Sequence, residues 1–254
     1  MKPATGPAPT QRATQYPHAP LTEAVIDVRV TPSASVTLDD LAGVQSGEET
    51  AYPTRKTHTV LQGQISAGQQ VGASAKQTHD GYVFVSGDER QIFQARTGGF
   101  AFSRLEPYER WETFRDEARR LWTKYQSAVK PESVSRAAVR YINRLNLPLP
   151  FNDFAEFLRL SPDVPSELPQ GLSAFVLRFA IPLEDVGGTL LLTETLVPPA
   201  QEGVVSIVLD IDIFREFSSP LSDQEIWGFF EKLRTKKNEA FEACITDRTR
   251  RLFE

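Results

Sequence analysis

Arginine recurs at every fourth residue in one segment of the chain, at positions 136, 140 and 144. Residues an even number of positions apart share a face of an extended strand, so Arg136, Arg140 and Arg144 are expected on one side of a strand at 134–147. Three guanidinium groups cannot be buried without acidic partners, because an unpaired ion in an apolar interior is prohibitively costly. The pattern therefore predicts a charged sheet face able to bind an anion, since guanidinium groups form strong hydrogen bonds with carboxylates and phosphates.

Acidic partners for these arginines occur in another predicted strand, at residues 204–214. Asp210 and Asp212 share one face of that strand about 7 Å apart, while isoleucine and leucine occupy the other face. Arg178 and Glu194 are also charged residues set in apolar strands. The candidate binding residues are therefore Arg136, Arg140, Arg144, Arg178, Glu194, Asp210 and Asp212.

Three interpretations of this charged face remain open. Cross-strand pairs of arginine and aspartate often cover a solvated sheet surface, where each pair contributes roughly a few tenths of a kcal/mol. The arginines could instead line a concave sheet and bind a phosphate-bearing ligand, a nucleic-acid backbone or an acidic protein segment, with the aspartates orienting them. Alternatively, Asp210 and Asp212 hold a divalent cation for phosphodiester cleavage, although spacing fixes no lysine or third carboxylate beside them.

Sequence signals for other catalytic chemistry are missing. His18, His58 and His79 fall in or beside predicted loops without another histidine or cysteine at ligand spacing, so no zinc or iron site is expected. The glycine pairs occupy hairpin positions, and neither a phosphate-binding loop nor a Gly-x-Ser-x-Gly motif occurs. Cys244 is the single cysteine and falls in an apolar helical stripe, which favours a buried thiol. We therefore expect no cofactor, and a binding protein rather than an enzyme.

The elements that must position these residues repeat in two halves. In the first half, alternation predicts a strand at 21–31, and a polar stretch at 42–57 predicts an exposed loop. Trp111, Phe114 and Ala118 begin an apolar stripe with helical spacing. The short strands of a meander are expected at 59–66, 82–86, 91–96 and 100–105, and the helix at 109–129.

The second half follows a similar order. The strand that carries the three arginines comes first, and a closing helix comes last. Ser222 and Glu225 have the spacing of a capping box, in which the hydroxyl and the carboxylate each accept from a free backbone N–H of the first turn. A short helix is expected at 152–160, strands at 174–182, 189–197 and 204–214, and the closing helix at 222–245.

This order predicts an α+β protein with two antiparallel β-meanders, each packed by a long amphipathic helix. Residues 1–19 are expected to form a disordered proline-rich tail, residues 20–130 the first half and residues 131–254 the second half of one compact domain. The halves are expected to be related by an internal pseudo-twofold duplication. Chance similarity is the alternative, because strands followed by a helix are common in α+β folds.

Composition limits the classes of partner. The net charge of −5 argues against coating nucleic acid through bulk electrostatics, so nucleic acid is not favoured as a partner but stays open. No stretch approaches the roughly 20 apolar residues that span a bilayer, and the start has no apolar signal core. We therefore expect a cytoplasmic protein with no membrane partner.

Several motifs occur together along nearly the whole chain. They are PLTEAV at 20–25, RYINR at 140–144, FLRLSP at 157–162, LDIDIF at 209–214, and Leu233-Arg234, Lys237-Asn238, Phe241-Glu242 and Ile245-Thr246-Asp247 in the closing helix. In this combination the chain resembles a sporadically distributed, uncharacterised bacterial protein family known only by a numbered family model. The resemblance implies a bacterial or phage-encoded protein whose gene is scattered like accessory and defence-linked genes. It departs from the family pattern at residues 42–57.

The sequence thus favours a non-enzymatic binding or regulatory protein, of the accessory, immunity or antitoxin-like kind. Its arginine-bearing sheet face is expected to bind an anionic ligand or a protein partner. One alternative is a metal-dependent phosphodiesterase or nuclease that uses Asp210 and Asp212. The other alternative is a homodimeric structural scaffold.

Overall fold

Within the residues that the structure describes, one antiparallel sheet of nine strands organises the chain. The computed structural model describes residues 16–66 and 72–254. The strand order across the sheet is β2-β3-β4-β5-β1-β6-β9-β8-β7, with these bounds: β1 (Leu21–Thr31), β2 (Thr54–Ser66), β3 (Gly72–Val85), β4 (Gln91–Arg96), β5 (Gly99–Leu105), β6 (Ser133–Pro148), β7 (Val176–Leu183), β8 (Gly188–Val197) and β9 (Val204–Glu216). The fold is therefore α+β, as the sequence predicted.

Four helices accompany the sheet in the described residues: α1 (Leu38–Gly43), α2 (Trp111–Val129), α3 (Asp223–Cys244) and α4 (Asp247–Arg250). The two long helices, α2 and α3, pack side by side on the same face of the sheet. Trp111 on α2 donates through its indole N–H to Glu231 on α3 at 2.8 Å. The predicted capping box of α3 is confirmed, because Ser222 and Glu225 exchange both hydrogen bonds.

Alternation along β6 divides its residues between the two faces of the sheet. Tyr141 and Leu145 are buried beneath the helices, whereas Arg140 is exposed on the opposite face. Since β6 lies between β1 and β9, the arginines sit near the middle of the sheet. The core beneath the helices is rich in aromatic rings, and the opposite face is the charged one.

The segment at 42–57, expected to be an exposed polar loop, is partly a packed element. Its first two residues end α1, and its last residues begin β2. Tyr52 is buried with its hydroxyl 2.6 Å from the Gln91 amide oxygen and 2.8 Å from a Glu117 carboxylate oxygen, while buried Glu48 accepts from Arg120. The prediction of an exposed loop is wrong here because these polar groups find partners that are distant in sequence. The short helix expected at 152–160 is also reduced to a 3₁₀ turn at Phe154–Glu156.

The last residues of the predicted tail contact the closing part of the chain. The Tyr16 ring packs edge-on against Phe253 and Phe241, with centroids 5.6 and 6.3 Å apart. The backbone N–H of His18 donates to the carbonyl of Phe253 at 3.0 Å. The rest of the predicted tail, residues 1–15, lies outside the described residues. Among the helices that are described, none has the length and apolar character needed to cross a membrane.

Candidate functional site

Arg136, Arg140 and Arg144 lie on the sheet face opposite α2 and α3, as the two-residue period predicted. Arg136 is held between two carboxylates, at 3.0 Å from Asp27 on β1 and 3.4 Å from Asp212 on β9. Only 12% of its side chain is exposed. Arg136 is therefore committed to partners within the sheet.

The guanidinium of Arg140 forms a bidentate pair with Asp210. Its Nε lies 2.9 Å from one carboxylate oxygen and its Nη2 lies 2.6 Å from the other. The hydrogen bonds that Arg140 donates to Asp210 raise the pKa of Arg140 above its ordinary value. Arg144 differs, because it donates to the carbonyl of Pro198 at 2.6 Å and has no carboxylate partner among the described residues. The face is thus largely an internal network of cross-strand ion pairs.

Asp212 is the least satisfied member of this network. Its Oδ1 is buried and accepts no hydrogen bond from any described residue. Burial raises the pKa of the Asp212 carboxyl, and the charges of Arg136 and Arg140 oppose that rise. Asp212 therefore retains one oxygen with the capacity to accept a hydrogen bond.

Arg178 on β7 joins the same face at its outer part. A cavity of about 420 Å³ lies between Arg178, Arg140 and the two aspartates, with Thr193 also in its wall. Arg178 is exposed, and the described part of the chain supplies it with no acidic partner. The structure therefore brings Arg178 together with Arg140, Asp210 and Asp212 around one cavity.

Glu194 does not belong to this group. It alternates with the threonines of β8 and shares the inner face with Leu190 and Leu192, so it points towards the helices. Only 1% of Glu194 is exposed, and no described residue gives its carboxylate oxygens a hydrogen bond. Desolvation raises the pKa of this carboxyl to about 7. Glu194 is thus a buried acid and no part of the arginine face.

Asp210 and Asp212 lack the surroundings that a cation site needs. The carboxylate of Asp210 is paired with Arg140, and that of Asp212 is paired with Arg136. Within residues 16–66 and 72–254, no group of three or more histidine, cysteine, aspartate or glutamate side chains is placed to hold a metal ion. The phosphodiesterase alternative consequently gains no support from the geometry.

A second site, which the sequence did not predict, lies on the helical side of the molecule. It is a cleft of about 950 Å³ between α3, the start of α2, β6 and residues 16–21. We call it the Lys237 cleft, and its defining residues are Tyr108, Trp111, Tyr141, Asn143, Arg234 and Lys237.

Lys237 is a partly buried lysine of α3 that faces this cleft. Its ammonium lies 3.8 Å from the centroid of the Tyr141 ring, a cation–π geometry. No carboxylate or carbonyl of the described residues accepts a hydrogen bond from it. Burial, with a smaller contribution from the charge of Arg234, lowers the pKa of Lys237 to about 7. Near neutral pH the amine is therefore divided between its charged and neutral forms.

The groups around Lys237 combine aromatic rings with hydroxyl and amide groups. The hydroxyls of Tyr108 and Tyr141 lie 3.0 Å apart, and burial raises the pKa of Tyr108 to about 12, so both remain protonated. Asn143 donates to the carbonyl of Leu209 at 3.2 Å. These groups give the cleft hydrogen-bond donors and acceptors on an aromatic floor.

Four carboxylates line the cleft, those of Glu106, Glu109, Glu112 and Glu242, and none of them forms a salt bridge with Lys237 in the described part of the chain. Glu112 is paired with Arg234 at 3.0 Å, and Glu242 is paired with Arg250 at 2.8 Å. Neither of these carboxylates neutralises Lys237. The Lys237 ammonium therefore has no direct carboxylate partner among the described residues, and Glu106 lines the same cleft without a salt bridge of its own.

Three distant motifs of the sequence meet at this cleft. Leu21 comes from the first, Tyr141 and Asn143 come from the second, and Lys237 and Phe241 come from the closing helix. The sequence did contain one signal for the site, because Lys237 stands in the apolar stripe of α3. The same position is equally typical of a lysine whose aliphatic side chain covers the core while its ammonium stays in water.

The fold and the two sites define an α+β protein with a ligand-sized cleft beneath its helices and a charged sheet face on its other side. The sequence matches no protein-family model and no curated protein. The functional conclusion therefore rests on the geometry.

Proposed function

We propose that this protein is a non-enzymatic binding protein that takes a small anionic ligand in the Lys237 cleft. The observation that carries the proposal is the Lys237 ammonium, which faces the cleft without an acceptor from the described residues. A large concave site with a few convergent polar groups and an ionisable group of shifted pKa is the usual form of a ligand-binding site.

The charge of Lys237 determines which ligands would be favoured. Desolvation makes the ammonium costly in the empty cleft, and an anion placed beside it would offset that cost. Binding would then raise the pKa of Lys237 and take up protons from solution. Affinity is expected to be highest below about pH 7 and to fall as the pH rises above the pKa of the free amine.

Isothermal titration calorimetry with benzoate and inorganic phosphate tests this proposal. Benzoate joins a carboxylate to a ring that suits the aromatic floor, and phosphate reports on charge alone. Lys237→Met is expected to weaken binding by about tenfold or more. Lys236→Met is the matched control, because Lys236 is paired with Asp185 and Glu239 outside the cleft.

The outcomes are distinct. Equal affinity of the wild type and Lys237→Met for benzoate would contradict the proposal, as would a wild type that binds neither probe. Proton uptake, measured by repeating the titration in buffers of different ionisation enthalpy, should disappear in Lys237→Met. Its persistence would assign the coupled proton to another group.

A second candidate function is recognition of an acidic protein segment by the arginine face. Arg144 and Arg178 favour it, because they have no carboxylate partner among the described residues. The double variant Arg144→Glu and Arg178→Glu is expected to abolish binding of a polyglutamate peptide with little change in melting temperature. Unchanged peptide binding, or a large loss of stability, would instead support a purely structural face.

The two halves of the sheet support a further proposal of internal duplication. In each half, the first strand lies at the centre of the sheet, and the last strand, β5 or β9, returns to pair with it. A long helix is associated with each half. We propose that the two meander-and-helix halves arose by duplication and are related by a pseudo-twofold axis between β1 and β6.

The cellular role that fits these proposals follows from the family resemblance. From this resemblance we propose a cytoplasmic bacterial protein with an accessory, immunity or antitoxin-like role. The homodimeric alternative would use the edge strand β7, where Val176, Phe179 and Ile181 are exposed. Size-exclusion chromatography with light scattering would detect such a dimer.

A further inference from the structure

Lys237 has the surroundings of a reactive amine as well as those of a binding group. Its nitrogen faces a cleft of about 950 Å³, lies 3.8 Å from the Tyr141 ring centroid and is not bound to a carboxylate in the described part of the chain. An amine becomes nucleophilic when it loses its proton in an apolar pocket or beside another cation. Arg234, three residues earlier on α3, supplies such a cation.

Lys236, the adjacent residue on α3, is a lysine whose ammonium is paired with carboxylates and therefore is not nucleophilic. Its ammonium lies 2.8 Å from Asp185 and 2.7 Å from Glu239. These carboxylates raise its pKa, so Lys236 remains protonated at neutral pH. The two neighbouring lysines therefore differ in charge state because of their surroundings, and Lys236 provides an internal control.

We propose that Lys237 forms a reversible imine with an aldehyde or ketone that also carries the anionic group of the ligand. This inference rests on the proposed function, since it names the reactive group of a ligand bound in the same cleft. Two features point to a carbonyl compound. The amine faces the cleft, and Tyr108 and Tyr141 line the same cavity. One of their two hydroxyls donates to the other, which leaves one hydroxyl proton for a carbonyl oxygen.

The reaction balances without an oxidant or a reductant. The lone pair of the neutral Lys237 nitrogen attacks the carbonyl carbon, a C–N bond forms, and the carbonyl oxygen takes up a proton to give a carbinolamine. The two nitrogen protons pass to the oxygen, one as the carbinolamine forms and one as the C–O bond breaks, and the oxygen leaves as water. The product is an imine, which carries a positive charge when it is protonated.

The protonated imine suits this site for the same reason that an anionic ligand does. Its positive charge stays on the nitrogen beside the Tyr141 ring, where cation–π attraction stabilises it. The carboxylate or phosphate of the same ligand then offsets that charge within the cleft. Covalent capture and anion binding therefore reinforce each other.

Reductive trapping tests the inference on the full-length protein. Glyoxylate, which joins an aldehyde to a carboxylate, is incubated with the protein and cyanoborohydride near neutral pH, and modified peptides are quantified by mass spectrometry. Lys237 is expected to be modified at least about tenfold faster than Lys236, because a far larger fraction of its amine is neutral. Benzoate should protect Lys237 by competing for the cleft.

Two variants separate covalent capture from ionic binding. Lys237→Arg keeps a cation in the cleft but cannot form an imine, so it should lose trapping while still binding benzoate. Lys237→Met should lose both. Circular dichroism establishes that each variant is folded, and the internal comparison of Lys237 with Lys236 in the wild type holds even if a variant is not.

The possible results distinguish this inference from the proposed function. Benzoate binding with no faster trapping at Lys237 than at Lys236 overturns the imine and leaves the anion site standing. Trapping that benzoate does not reduce overturns the anion site. The absence of both anion binding and selective trapping overturns the two proposals together.

Discussion

Glu194→Gln is expected to raise the free energy of unfolding above neutral pH and to leave it nearly unchanged in acid. The Glu194 side chain lies beneath the helices with 1% of its surface exposed, and neither carboxylate oxygen has a hydrogen-bond partner among the described residues. Desolvation raises the pKa of the carboxyl from 4.5 to about 7. Glutamine has nearly the same shape but cannot ionise.

The size of the effect follows from the pKa difference between the folded and unfolded chain. Each tenfold change in a protonation constant corresponds to about 1.4 kcal/mol, so a pKa moved from 4.5 to about 7 corresponds to about 3 kcal/mol. Because the folded state holds this proton more tightly, the stabilisation is fully present below about pH 4.5. It is lost as the pH rises through about 7.

Urea unfolding followed by circular dichroism, at about pH 4, pH 6 and pH 8, measures this difference. Glu194→Gln should match the wild type at the lowest pH and exceed it by up to about 3 kcal/mol at the highest. Glu202→Gln is the control, since Glu202 is exposed in the loop before β9 and should change little. A constant difference between Glu194→Gln and the wild type across this pH range would refute the reasoning.

Further predictions concern other buried or paired groups. The ion pair of Arg140 and Asp210 should contribute less than about 1 kcal/mol to the free energy of unfolding, because the Arg140 side chain is 48% exposed and solvent screens its charge. A double-mutant cycle with Arg140→Met and Asp210→Asn measures the coupling energy of the pair. A coupling energy above about 2 kcal/mol would contradict the prediction. Burial raises the pKa of Cys244 to about 12, so iodoacetamide should spare the native thiol and label it in urea; rapid labelling of the folded protein would contradict this. The hydrogen bonds from Arg120 lower the pKa of buried Glu48. Glu48→Gln should therefore lower the free energy of unfolding by about 2 kcal/mol near neutral pH, and by less as the pH falls below about 4.5. An equal loss at neutral and acidic pH in urea unfolding would argue against the pairing.

The long helices and the face of each arginine could be predicted from local periodicity. The apolar spacing that begins at Trp111 and the capping box at Ser222 act within a few residues, and the structure has both helices close to the predicted bounds. The two-residue period also placed Arg136, Arg140 and Arg144 on one face. Such patterns are local because each depends on backbone geometry alone.

The ion-pair partners of the arginines depend on strand order, which local patterns do not specify. Asp27 reaches Arg136 because β1 lies beside β6, and Arg96 reaches the same carboxylate from β4, two strands further along the sheet. The position of Glu194 had a usable signal, since it alternates with threonines and shares a face with leucines. The prediction that Glu194 shares a site with Arg178 was based on the charge of the two residues alone, without this alternation.

The Lys237 cleft could not be predicted because its walls come from distant parts of the chain. Residues 16–21, β6 and α3 meet there only after the sheet and helices have formed. A lysine in an apolar helical stripe normally extends its stem along the core and keeps its ammonium in water. Only the folded arrangement shows that the ammonium rests on Tyr141 instead.

The pairing of β1 with β6 joins the two halves of the molecule into one continuous sheet. Because this ladder runs along nearly all of β1, with a bulge near each end, the two halves cannot hinge apart without breaking central backbone hydrogen bonds. The cavity above the sheet is bordered at its periphery by Tyr16, which contacts both α3 and Phe253. A change in the size of that cavity would therefore involve the backbone around Tyr16 rather than the core of the sheet.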